Sequence, residues 1–146
     1  MTNIDEKIKL DKLVNRWTVL GDEKRTEEQI ALMCSDVTYQ VYFGDQKVSE
    51  TIGQENLIKE FKGHAAEVKR YFSLDGLHIV DFNDKGATGI LYSQMKMVRE
   101  NEAGQEILTD YSVRYDDFYI KDGDDWKINK RAAHFIIVDS KELAAQ

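Results

Sequence analysis

Four segments between Leu77 and Asp139 alternate apolar and polar residues, and the links between them are short and rich in Asp and Gly. Nothing else in the chain constrains its fold as strongly. "LHIVDFN" turns at "DKG" into "ATGILYSQMKMVRE", "NEAGQE" leads into "ILTDYSVRYDDFYIK", and "DGDD" leads into "WKINKRAAHFIIVD". A period of two interrupted by such turns marks antiparallel strands joined as hairpins. Strands of this length twist, so the meander predicts a strongly curled sheet.

The first half of the chain carries the longer period of helices. Ile4, Ile8, Leu10, Leu13, Val14, Trp17 and Leu20 recur at helical spacing, which predicts one long amphipathic helix ended by Gly21 and Asp22. "RTEEQIALMC" reads as a shorter helix with Thr26 as N-cap and Glu27 and Glu28 in its first turn. "DVTYQVYF" reads as a strand with Val37, Tyr39, Val41 and Phe43 on one face. "GQENLIKEFKGHAAEVKRYF" returns to helix, bent around Gly63. Helices first and antiparallel strands last give an α+β class, with the helices on one face of the sheet.

At 146 residues, without proline, repeat or low-complexity linker, residues 1–146 are expected to form a single domain. A formal net charge of −7 opposes binding to a polyanion, so no nucleic-acid partner is expected. The opening "MTNIDEKIKLDKL" lacks the apolar centre of a signal peptide, and no apolar run approaches a membrane span. The expected location is therefore cytoplasmic, with no membrane partner. Cys34, the single cysteine, sits in "IALMCSD" and reads as a small buried hydrophobe. Cys34, His64, His78 and His134 share no metal-ligand spacing, and phosphate-cradling glycine loops and "GxSxG" elbows are absent. Neither a metal nor another cofactor is expected.

The order of elements resembles the SnoaL-like branch of the nuclear-transport-factor-two-like superfamily. "RWTVLGDEKRTEEQIALMCSDVTY" looks like the family's opening, and "RYDDFYIKDGDDWKINKR" looks like its closing hairpin, with Tyr115, Asp117, Gly123, Trp126, Ile128 and Arg131 matching in type. The resemblance implies a cone: a curved antiparallel sheet wrapped around N-terminal helices, a cystatin-like α+β barrel with a cavity at its mouth. The superfamily includes dehydratases, isomerases, cyclases and epoxide hydrolases as well as proteins without chemistry. Its outer sheet faces commonly form dimers, so a homodimer is expected through the face bearing Ile90, Tyr92, Gln94, Lys96 and Val98.

The same resemblance places an acidic residue of the dehydratase-like members at Asp22, although an Asp in "GDEKRTEE" is also an ordinary turn residue. Trp17 stands where those enzymes often carry Tyr. Their partner histidine should fall near 72–74, where this chain has Phe72, Ser73 and Leu74, with Tyr71 adjacent. Val41 stands where a ketosteroid isomerase has its base. Arg114 and Asp116 share a strand face like the Arg-x-Asp of epoxide hydrolases, yet Ala132 or Ala133 replaces the second carboxylate, leaving a cross-strand ion pair as the plainer reading. His134, between Ala133 and Phe135, could face the region of Ser112 to Asp116 if the hairpin register is regular.

Met95 and Met97, together with Trp17, Tyr39, Phe43 and Phe72, would supply an apolar lining, with Arg114 and Asp116 as its polar members. The expected function is binding of a small hydrophobic or cyclic molecule, with cofactor-free proton transfer as the chemistry of an isomerase, dehydratase or cyclase. Asp22 would accept the proton, Tyr39, Tyr71 or His134 would donate one, and Trp17 with Met95 would wall the substrate. The alternative is a non-catalytic dimerisation or partner-binding module of the same fold.

Overall fold

A computed structural model describes residues 2–145. Thr2 caps helix α1 (Asn3–Asp22): its hydroxyl accepts the Asp5 amide at 3.2 Å, and its own amide donates to Asp5 Oδ2 at 3.2 Å. This exchange satisfies two donors that a helix start leaves open. Leu10, Leu13, Val14, Trp17 and Leu20 form the buried stripe, whereas Ile4 and Ile8 face outward.

The next helix, α2 (Thr26–Ile30), has only five residues, and its N-cap is Arg25 rather than Thr26. "LMC" leaves it because Met33 opens strand β1 (Met33–Phe43), where its side chain is fully buried opposite Ile128. Burying such a side chain is worth about 1.5–3 kcal/mol, more than the helix preference it forgoes. Cys34 therefore lies on a strand, half-buried, and burial pushes its thiol pKa up.

Strand β2 (Gln46–Ile52) is absent from the sequence reading; it pairs antiparallel with β1 and forms one edge of the sheet. Its polar residues are what an edge strand tolerates, which is why no alternation betrays it. Helix α3 (Gln54–Glu67) passes through the exposed Gly63 without a break and stops at Glu67. Strand β3 (Arg70–Asn83) thus begins at Arg70, turning "YFSLDG" from the end of a helix into a strand.

Strands β4 (Gly86–Glu100), β5 (Glu106–Asp122) and β6 (Asp125–Glu142) complete the expected meander. The six strands run β2-β1-β6-β5-β4-β3, and the curled sheet remains unclosed. It is not wholly antiparallel, because β1 lies parallel to β6, with Tyr39 opposite Arg131. No helix among the described residues is long and apolar enough to cross a membrane.

The core where α1 meets the sheet contains a charge. Arg131 and Asp117 pair across β5 and β6, with Nε to Oδ1 and Nη2 to Oδ2 both at 2.8 Å and no exposure of either side chain. The guanidinium lies 4.5 Å from the Trp17 ring and 4.1 Å from the Tyr115 ring. Tyr119 donates to Asp117 at 2.6 Å and lies 2.9 Å from His78 Nε2, while His78 Nδ1 lies 2.6 Å from Asp11. Tyr119 also crosses β4 so closely that a Cβ on Gly89 would sit 2.5 Å from its hydroxyl oxygen.

Asp117→Ala would leave the Arg131 charge buried without a partner. We predict a loss of about 3–5 kcal/mol in denaturant unfolding. Asp116→Ala, one residue away on the solvent face, should cost less than about 1 kcal/mol. Equal losses for the two would contradict the buried pair's role.

Candidate functional site

The last turns of α1 deliver Trp17, Thr18, Gly21 and Asp22 to one wall of a cavity of about 450 Å³. Helical spacing puts Thr18 and Asp22 on one face, four residues apart. The opposite wall is the concave sheet, where alternation brings in Tyr71 and Ser73 from β3, Ser93, Met95, Met97 and Arg99 from β4, and Tyr111 and Tyr115 from β5. Tyr39, Val41, Phe43 and Phe135 continue the lining, and Glu60, Phe61 and His64 close one side from α3.

Asp22 is the carboxylate that α1 contributes to the cavity wall. Its Oδ2 accepts the Ser73 amide at 2.7 Å, and its Oδ1 accepts the Ser73 hydroxyl at 2.8 Å. Burial raises its pKa above the ordinary value; the Ser73 bonds pull it back, and the negative charge of Asp75 adds to the rise. Asp75 sits two residues further along β3 and accepts bonds from Asn15 Nδ2 at 3.0 Å, Thr18 Oγ1 at 2.8 Å and Ser93 Oγ at 3.0 Å. Two carboxylates are thus fixed side by side on the seam between α1 and β3. Asp22 does more than end a turn, since its side chain joins the helix to the sheet within the cavity wall.

Three of the four phenols that edge the same space, those of Tyr39, Tyr71 and Tyr115, have their pKa raised by burial. Burial holds Tyr39 well above the ordinary tyrosine range, pushes Tyr115 up to about 12 and also raises Tyr71. None is therefore an anion at neutral pH, and each is a hydroxyl donor. Tyr39 packs against Phe61 with ring centroids 5.2 Å apart and lies 6.4 Å from Trp17. Among the described residues no group of three or more His, Cys, Asp or Glu is arranged to hold a metal ion.

Of the residues singled out from sequence, Asp22, Tyr39, Tyr71, Trp17, Phe43, Met95 and Met97 meet at this cavity. His134, Phe72, Arg114 and Asp116 do not, because the alternation that brings Phe135, Tyr71 and Tyr115 inward turns these four to the convex face. There His134 stacks on Tyr42 at 4.5 Å and contacts Asp116 at 3.1 Å, while Arg114 reaches Asp116 at 2.9 Å. The register does set His134 opposite Arg114, on the side away from the cavity. Sequence reasoning missed the partnership of Ser73 with Asp22, the anchoring of Asp75, and the inward Arg99 and Tyr111. Extending the alternation of β3 back to Arg70 and of β4 forward to Arg99 would have found Ser73, Asp75 and Arg99, and the same alternation along β5 would have found Tyr111.

The sequence model of the SnoaL-like domain family matches residues 4–132. No curated protein matches the chain. Solved structures similar to it include a candidate scytalone dehydratase from Novosphingobium aromaticivorans, with 15% identity and a TM-score of 0.79 over 99% of this chain and 91% of that one. The hexachlorocyclohexane dehydrochlorinase LinA-type3 of Novosphingobium barchaimii is 14% identical, with a TM-score of 0.79 over 98% of this chain and 93% of that one. The Kfla4162 protein of Kribbella flavida is 10% identical, with a TM-score of 0.80 over 94% and 95%. At these identities the likeness concerns the fold.

The electrostatics of the seam can be read directly by carboxyl carbon NMR titration of labelled aspartates. Ser73→Ala should raise the pKa of Asp22 by removing bonds to its charged form, and Asp75→Asn should lower it by removing a like charge. An Asp22 titration unchanged in both variants would contradict this arrangement.

Proposed function

The chain belongs to the SnoaL-like family, and from that premise we propose that its cavity binds a small hydrophobic or cyclic organic molecule from which Asp22 removes a proton. The reading rests on one observation: a carboxylate with a raised pKa, held by Ser73, forms part of the wall of a largely apolar cavity. A base works best when its pKa approaches the working pH, and partial burial moves Asp22 in that direction. Trp17, Met95 and Met97 supply a flat, adaptable surface for a ring.

The chemistry is that of a cofactor-free lyase or isomerase. Asp22 takes a proton from carbon, and the electron pair of that C–H bond forms a double bond. In a lyase the pair expels a leaving group from the neighbouring carbon; in an isomerase Tyr39 or Tyr71 returns a proton elsewhere on the conjugated system and regains one from solvent as Asp22 releases the proton it took. His134, across the sheet, takes no part. Dehydratase and dehydrochlorinase, the names carried by two of the similar structures, both denote eliminations and are consistent in kind.

A second proposal concerns the convex face, where Phe72, Leu74 and Ile136 are 57%, 61% and 56% exposed. Leu74, Tyr92, Gln94, Ser112 and Ile136 border a shallow groove there. Contiguous exposed apolar surface favours a homodimer through this face, which serves an enzyme and a non-catalytic partner-binding module equally well.

Turnover of a cyclic substrate bearing an acidic C–H should fall about 10²–10⁴-fold in Asp22→Asn. In the wild type kcat/KM should rise with pH, because the ionised form is the base, with a midpoint above the ordinary aspartate value of 3.8. Undiminished turnover in Asp22→Asn would reject its role. Leu74→Glu with Ile136→Glu should convert a dimer to a monomer in light scattering, and a dimer that persists would reject the convex-face contact.

A further inference from the structure

On the cavity wall one positive charge lacks the partner its neighbours have. Arg99 follows Ser93, Met95 and Met97 on the inward face of β4 and lines the cavity. Nearby, Lys69 pairs with Glu100 and Glu106, Arg70 with Glu106, and Lys96 with Asp110. Arg99 has no carboxylate within ion-pair distance among the described residues. Its side-chain contacts are weak acceptors: Met97 Sδ at 3.2 Å from Nη2 and Tyr111 Oη at 3.4 Å from Nη1. In a chain with 27 acidic and 20 basic residues, a cavity arginine without an acid is an exception.

The charges around it define a direction. Glu60, the other carboxylate in the lining besides Asp22, accepts from Thr51 at 2.6 Å rather than from Arg99. Tyr71 stands under the influence of both ends: Arg99 stabilises its anion and Asp22 opposes it. Ser73, which holds Asp22, pairs with Met95, and Arg99 lies four residues further along β4, so a ligand in this space meets the carboxylate and the open guanidinium at separate points with Met95 and Met97 between them. A guanidinium presents a planar fork of donors that fits a carboxylate in two bonds, and the partly apolar setting strengthens such a pair.

We propose that the ligand of this cavity is an anion, a small cyclic acid whose carboxylate pairs with Arg99 while its ring rests on Met95, Met97 and Phe135. The inference rests on the reading of the cavity as a ligand site and adds its substrate class. Repulsion from Asp22 sets the orientation, with the acid toward Arg99 and the reacting carbon toward the base. Arg99 thereby acts as a binding and specificity residue, separate from the proton-transfer step.

Calorimetric titration of the full chain with 2-naphthoate and its neutral isostere 2-naphthamide tests this. The wild type should bind the acid about tenfold or more tightly than the amide, the scale of one hydrogen-bonded charge pair. Arg99→Gln should bring the acid down to the affinity of the amide and leave the amide unchanged, and Arg99→Lys should restore part of the preference. Asp22→Asn should keep or increase it, since a like charge has gone. Binding of the amide without preference for the acid, or a preference that survives Arg99→Gln, overturns the anion assignment and leaves the cavity reading standing. Binding of neither probe overturns both.

Discussion

Arg131 carries a full charge into the fully buried core, and helix, sheet and cavity all meet around it. Burial works against the guanidinium, but Asp117 outweighs that and holds its pKa well above the ordinary value. The pair spans β5 and β6, and the faces of the ion are taken by Trp17 from α1 and Tyr115 from β5. Cation–π contacts of this kind contribute about 2 kcal/mol when desolvated. Their structural consequence is larger than that figure, because the same two rings form part of the cavity wall. Any slip of α1 along the sheet would unstack Arg131 and move Asp22, five residues beyond Trp17, away from Ser73.

The second constraint is the seam of aspartates. Asp22 and Asp75 are held near one another by donors on both elements: Ser73 for the first, Asn15, Thr18 and Ser93 for the second. Placing two carboxylates in a partly buried seam is unfavourable for folding, and the donors offset that cost. The raised proton affinity left to Asp22 is what a base for carbon acids requires. The stability relinquished at the seam is thereby linked to the proposed chemistry of the cavity.

Much of the architecture was legible because local and global patterns agree. The strands from Gly86 onward declare themselves through alternation and Gly-bearing turns, and α1 through the spacing of Leu10, Leu13, Val14, Trp17 and Leu20. Strand β2 was hidden because an exposed edge needs no apolar alternation, and the start of β3 because "EVKRYF" suits a helix as well as a strand. Asp22 could be singled out only through a family resemblance. Spacing alone puts Arg114 and Asp116 on one face without saying which, since β5 bears aromatic residues on one side and mixed residues on the other. The concave face is chosen by α1, a long-range contact that no local period encodes.

The proposed chemistry requires that the space beside Asp22 receive a ring. X-ray diffraction from crystals grown with a bound cyclic acid tests it most directly. Density for the ring is expected against Met95, Met97 and Phe135, with a carbon facing the Asp22 carboxylate. A cavity filled by the protein's own side chains, with the ring only on the convex face, would contradict it.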